Sequence, residues 1–332
     1  MRRITPFTVL LTALILIAPA AIAAPGLNLD NLDPKTVSKV AHKEILKVLS
    51  SNTATSAPLV VIADKNVPAK YVAATKTNLT KAYKFFEADF SPDKVSALLW
   101  LNKDKDSISW GQKQFNLLTT NWDERKNFPL ANGGSKQCQE AFPIYGLRAP
   151  GGKYDYSYVE CAGETSPDKY FKSIHEYTHL YQAQNHLMNN APVWVVEGMA
   201  DFYGQHLGLW TSNDKALVMH RKMLARQGRV PSIKSLSKAQ FVTLMKKFES
   251  PEYDQSAYYF GSLATEALVA VFGEFKVNEF VKSFSALPEN YSGKPVISPL
   301  FYESFETSFG VAPTAFYEKL YPYVTAMSKV YQ

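Results

Sequence analysis

The apolar positions of the chain change their period near residue 165. Before that point short runs dominate. Leu59-Val60-Val61-Ile62-Ala63 is fully apolar and rich in β-branched residues, the pattern of a buried strand, and Val95 to Leu101 is a second strand candidate. The segments around Ser107–Trp110 and Tyr154–Glu160 have extended character, the latter with alternating positions. Between the two strands Pro68 opens a helix at its tolerated first position, and Tyr71, Leu79, Ala82 and Phe86 give it an apolar side up to about Phe90. Further upstream, Pro34 to Leu49 predicts a helix with Val37, Val40, Ile45 and Val48 near one face, followed by a linker from Ser50 to Pro58. Two placements fit this first helix, a docked element or a mobile pro-segment.

From Ser166 onward the period becomes helical. Ser166-Pro167-Asp168 supplies an N-cap, a proline for the first turn and an acid at the positive helix end. Helices are expected over 168–187, 192–207, 213–227, 237–248, 254–273, 275–286 and 313–329. No internal repeat, heptad array or low-complexity tract interrupts them. The expected fold is α+β: an N-terminal helix and linker (24–57), a small mixed sheet lobe with a helix (58–165), and a mainly α-helical lobe (166–332), the two lobes forming one domain.

The first residues change the picture by adding an address. Arg2 and Arg3 precede an uncharged apolar run from Val9 to Ile17, and Ala21-Ile22-Ala23 offers a small-residue cleavage site, so residues 1–23 predict a secretory signal peptide. The apolar run is too short for a stable membrane anchor. The mature chain is expected in the periplasm or outside the cell. In such an oxidising compartment the two cysteines, Cys138 and Cys161, predict a disulfide. Closing that loop is worth about 3.5 kcal/mol in the chain-entropy model. The formal charge is +6, of which Arg2 and Arg3 supply two, and the remaining lysines are dispersed among acids. No basic stripe with interleaved aromatics is present, which argues against nucleic acid as a partner.

Candidate chemistry concentrates in Ser173-Ile174-His175-Glu176-Tyr177-Thr178-His179, an H-E-x-x-H. On a helix His175 and His179 lie one turn apart on one face, so both rings can reach a single Zn²⁺ with Glu176 beside them. A catalytic zinc takes a third protein ligand, and Glu197, 18 positions beyond His179, is available on a second helix that Asn189-Asn190-Ala191-Pro192 would fold back beside the first. Its neighbours Trp194-Val195-Val196 draw it toward the interior, where a carboxylate needs a cation or donors.

H-E-x-x-H followed at this distance by Trp194-Val195-Val196-Glu197-Gly198-Met199-Ala200 resembles the gluzincin metallopeptidases, which include thermolysin and the aminopeptidase-N-like enzymes. The resemblance spans roughly residues 156–273. It implies a zinc site between the two lobes, one Zn²⁺ held by His175, His179 and Glu197, Glu176 as general base, and a peptide or protein substrate. It also implies that Asp201 holds the ring of His175, a role that fixes tautomer and basicity wherever it occurs. Tyr258-Tyr259-Phe260-Gly261 resembles the Y-E-K-G of the aminopeptidases and implies Tyr258 as the oxyanion donor. His206 or His220 is a candidate second donor, while His42 and His186 carry no assignment. The metzincin pattern, a third histidine following H-E-x-x-H-x-x-G, is not met, because position 182 is Gln where the glycine would stand.

The chain also departs from the aminopeptidases. Val196 replaces the Asn before the glutamate, no G-x-M-E-N stretch precedes His175, and the large N-terminal β-domain is missing. The expectation is therefore a secreted zinc metallopeptidase with unassigned cleavage preference. The alternative is a non-catalytic zinc-binding or partner-binding protein on a peptidase scaffold. A peptide backbone could pair with an edge strand at Tyr154–Glu160.

Overall fold

A computed structural model describes residues 27–54, 56–100, 105–119, 141–145, 156–161, 171–188, 190–210, 215–227, 235–250, 255–287 and 299–331. Four strands, β1 (Leu59–Ala63), β2 (Val95–Trp100), β3 (Ala141–Tyr145) and β4 (Tyr156–Cys161), form one sheet in the order β1-β2-β4-β3. β1, β2 and β4 run parallel, and β3 closes the sheet antiparallel to β4. β2 is buried along its whole length, and its one polar residue, Ser96, shares a hydrogen bond with Ser157 at 2.8 Å. Its side chains alternate between two cores: Val95, Ala97 and Leu99 face the main core, whereas Leu98 and Trp100 pack with Val159, Phe115 and Leu118.

Two sequence expectations are corrected in this lobe. The Ser107–Trp110 segment is helical, part of α3 (Lys105–Leu118). Ser107-Ile108-Ser109-Trp110 imitates the period of a strand over four residues. The buried positions Ser107, Gly111, Phe115 and Leu118 recur at helical spacing over the longer window and cover the second face of the sheet. The described part of the Tyr154–Glu160 segment belongs to β4, which is not an edge because it lies between β2 and β3. The missed strand β3 occupies the edge, and the proline that masked it, Pro143, is tolerated there because an edge residue can spare its N–H.

The helices largely follow the expected positions. They are α1 (Pro34–Ser51), α2 (Ala69–Phe86), α4 (Lys172–Gln184), α5 (Val193–Tyr203), α6 (Lys215–Gln227), α7 (Lys238–Lys247), α8 (Ser256–Phe272), α9 (Glu274–Lys282), α10 (Pro299–Phe309) and α11 (Pro313–Tyr331). α10 was not anticipated, although Phe301, Phe305 and Phe309 form its buried stripe. α1 is docked: Val37, Ala41 and Ile45, four residues apart, enter the main core against α8.

α8 is the axis of the helical lobe, with nearly every residue from Ser256 to Ala270 buried among α1, α5, α6, α9 and α11. α4 is the seam between lobes, touching α2, β3 and β4 on one side and α5 on the other. Its end is set by His186, which adopts a left-handed conformation (φ 59°). There the His186 N–H donates to Ala183 O and the Leu187 N–H to Gln182 O, each at 2.9 Å, a Schellman closure. Leu187 and Ala191 are buried in the turn that follows, and α5 returns alongside α4.

The signal segment and Cys138 lie outside the described residues, and with Cys138 the expected bridge to Cys161. Among the described residues no helix is long and apolar enough to cross a membrane.

Candidate metal centre

α4 is buried from Ser173 to Ala183, so the polar residues of its H-E-x-x-H motif are held inside the protein. His175, Glu176 and His179 are 7%, 8% and 4% exposed, a placement that needs partners for each. α5 brings Glu197 to them. Its Oε2 lies 3.4 Å from His175 Nε2 and 3.3 Å from His179 Nε2, and the two Nε2 atoms are 3.1 Å apart. Among the described residues this is the one group of three His, Cys, Asp or Glu side chains whose donor atoms converge in a way that could hold a metal ion.

Three tests of fit agree. First, ligands at about 2.0–2.1 Å from a tetrahedral zinc lie about 3.3–3.4 Å from one another, which matches the edges of this triangle. Second, the Glu197 Oε2 is buried and makes no hydrogen bond, a costly state for a carboxylate oxygen unless a cation satisfies it. Third, the tautomer of His179 is fixed from behind. Gln182 donates its Nε2–H to Val196 O at 2.9 Å, so its Oε1 faces His179 Nδ1 at 2.8 Å and accepts from it. The unprotonated Nε2 of His179 is thereby turned toward Glu197. His175 Nδ1 faces Asp201 Oδ1 at 3.7 Å, which places the carboxylate behind the other ring.

The electrostatics favour positive charge. Burial alone would lower the pKa of His175, but the carboxylates of Asp201, Glu197 and Glu176 raise it to about 10. Burial works against ionised Glu197 and Asp201 as well. The His179 and His175 imidazoles hold Glu197 well below the usual carboxylate range, and His220 and His175 do the same for Asp201. Glu176 is raised, because burial outweighs the two imidazoles beside it.

Tyr258 on α8 enters the same neighbourhood. Its ring stacks on His175 with centroids 5.8 Å apart and planes within 5°. The expected site residues His175, Glu176, His179, Glu197, Asp201 and Tyr258 are thus brought together. The histidines offered as a second oxyanion donor are used elsewhere: His220 Nε2 faces Asp201 Oδ1 at 3.2 Å and His206 Nε2 faces Glu266 Oε1 at 3.0 Å. His42 stacks on Trp210, with centroids 4.3 Å apart, and its pKa is lowered to about 4 by burial together with His206 and Lys81.

Sequence reasoning missed Gln182, Gln205, Arg221 and Glu266, and gave His220 a different role. Gln182 carried a readable signal, its i+3 spacing from His179 on one helix face. The others come from the π segment Gly204–Leu209, α6 and α8, and no local pattern connects them.

Compared with protein-family models, curated proteins and solved structures, the chain matches none of them.

Proposed function

We propose that this chain is an exported zinc metallopeptidase of the gluzincin type, hydrolysing peptide bonds in a peptide or protein substrate. The observation that carries the reading is the convergence of His175 Nε2, His179 Nε2 and Glu197 Oε2 within 3.1–3.4 Å of one another beside a buried glutamate. A zinc ion bound by these three residues would supply Lewis-acid chemistry, lowering the pKa of water toward about 7 and polarising a carbonyl.

The chain's own residues supply the proton transfers. Glu176, next to His175 on α4, takes a proton from the attacking water as the C–O bond forms and returns it to the leaving amine as the C–N bond breaks. Its raised pKa suits both directions of transfer. Tyr258 donates its hydroxyl proton in a hydrogen bond to the carbonyl oxygen as negative charge develops there, a contribution of about 3–4 kcal/mol in comparable sites. Gln182 keeps His179 in the required tautomer by a hydrogen bond, and the Asp201 carboxylate, 3.7 Å behind His175 Nδ1, favours a proton on that nitrogen by its charge.

The test is Glu176→Gln assayed on a broad peptide library that includes substrates with free amino termini. The variant should bind zinc like the wild type and lose about 10²–10⁴-fold in hydrolysis. A fully active variant would refute the mechanism. A wild type that binds zinc and cleaves nothing in the library would favour a non-catalytic zinc protein on the same scaffold.

A further inference from the structure

We propose that Gln205 is a positioning residue for the metal centre, acting through Asp201; the proposal rests on the zinc reading of His175, His179 and Glu197. Asp201 is 1% exposed and its Oδ1 faces two imidazoles, His175 Nδ1 at 3.7 Å and His220 Nε2 at 3.2 Å. A carboxylate shared in this way can turn about its Cβ–Cγ bond toward either ring. Its other oxygen is held by Gln205, whose Nε2 donates to Oδ2 at 2.5 Å.

Gln205 is oriented in turn. Its Oε1 accepts from Arg221 Nε at 2.8 Å, so an amide flip would set N–H against N–H at one end and oxygen against oxygen at the other. Arg221 is anchored by a second bond, from its terminal nitrogen to Glu266 Oε1 at 2.7 Å, and Glu266 also accepts from the Tyr323 hydroxyl. Arg221 and Glu266 are both fully buried. Their charges cancel, so what this pair passes to Gln205 is orientation rather than net charge. The chain of contacts runs from α8 and α6 through the π segment to α5 and ends behind the first histidine of the centre. π turns inside helices recur at functional sites, and this one follows α5 directly and carries Gln205.

Gln205→Met removes both hydrogen bonds at nearly constant volume and tests the proposal. The readouts are zinc affinity, by competition with a chelating dye, and the visible absorption bands of the Co²⁺-substituted protein, which report ligand geometry. The expected result is a zinc affinity about 10–100-fold weaker with shifted Co²⁺ bands. Phe115→Leu, a change in the separate core on the other face of the sheet, should leave both readouts at wild-type values despite its loss of stability. Wild-type affinity and bands in Gln205→Met would overturn the proposal, as would an equal shift in the Phe115→Leu control.

Arg221→Lys covers the case in which Gln205→Met does not fold. It keeps the charge opposite Glu266 and loses the guanidinium fork that aims Gln205, so the Co²⁺ bands should move in the same direction by a smaller amount. Unchanged bands there also overturn the proposal. A wild type that binds neither Zn²⁺ nor Co²⁺ overturns this proposal together with the zinc reading, whereas a wild type that binds both beside an unchanged Gln205→Met overturns this one alone.

Discussion

Gly198 and Gly261 meet backbone to backbone where α5 crosses α8. A Cβ on Gly198 would lie 2.3 Å from the Cα and carbonyl carbon of Gly261, and one on Gly261 would lie 2.2 Å from Trp194 O. No L side chain fits either position without moving a helix. The crossing also sets the site. Glu197 adjoins Gly198, and Tyr258 stands one turn before Gly261, so the same close approach delivers the third converging carboxylate and the stacked tyrosine to His175. The glycines of the E-G and Y-x-x-G stretches therefore have a packing reason that needs no chemistry.

Gly198→Ala is expected to destabilise the protein by about 3 kcal/mol, at the upper end of overpacking costs, and to displace Glu197. Gly310→Ala provides the contrast. Gly310 has φ +64° with nothing near its missing Cβ, so only the backbone conformation is strained and the cost should be about 1 kcal/mol. Urea denaturation midpoints of the two variants check the difference. Equal midpoints would mean that the helix crossing yields more easily than its geometry implies.

Glu274, at the start of α9, predicts a pH dependence of stability away from the centre. Burial is the largest effect on its carboxyl, Tyr203 offsets part of it by donating to Oε1 at 2.6 Å, and Glu44 and Asp89 add to it, leaving a pKa of about 8 against an ordinary 4.5. The folded protein thus keeps a proton that the unfolded chain releases near 4.5. The stabilisation is full below the unfolded pKa and is lost as pH rises toward the folded value, at up to about 1.4 kcal/mol per pH unit. Glu274→Gln is neutral at every pH and still accepts from Tyr203. Its melting temperature should match the wild type near pH 5 and exceed it near pH 8; parallel profiles would contradict the assignment.

Tyr258→Phe keeps the ring against His175 and removes the hydroxyl. If the hydroxyl stabilises the oxyanion, kcat should fall about 10²–10³-fold while KM and zinc content stay near wild type. A loss of zinc instead would show that the ring supports the centre mechanically.

Gln182→Leu removes the acceptor behind His179 and leaves the three converging donors in place. Zinc affinity should weaken about 10–100-fold without loss of the fold, measured by metal competition and circular dichroism. An unchanged affinity would show that the histidine tautomer is set without Gln182.

Local patterns made much of this architecture legible. The run Leu59–Ala63 is strand β1 with the same ends, although it lies at the sheet edge with Val60 exposed instead of being buried, and the helices from α4 onward, α10 excepted, lie within a few residues of their periodic signals. Failures occurred where a short window imitated another period, as at Ser107–Trp110, or where a proline disguised an edge strand, as at Pro143. The His175, His179 and Glu197 grouping could be read because two members share a helical turn and the third follows a short turn. The Gln205–Arg221–Glu266 chain could not, because each residue joins it from a different element and its contacts exist only after the helices pack.

Metal stoichiometry tests the proposed centre most directly. Wild-type protein reconstituted with zinc and desalted should retain one zinc per chain by mass spectrometry, and His175→Ala and Glu197→Ala should each retain none under the same treatment. A folded wild type that keeps no zinc, or variants that keep as much as the wild type, would contradict the claim that these side chains form a metal centre.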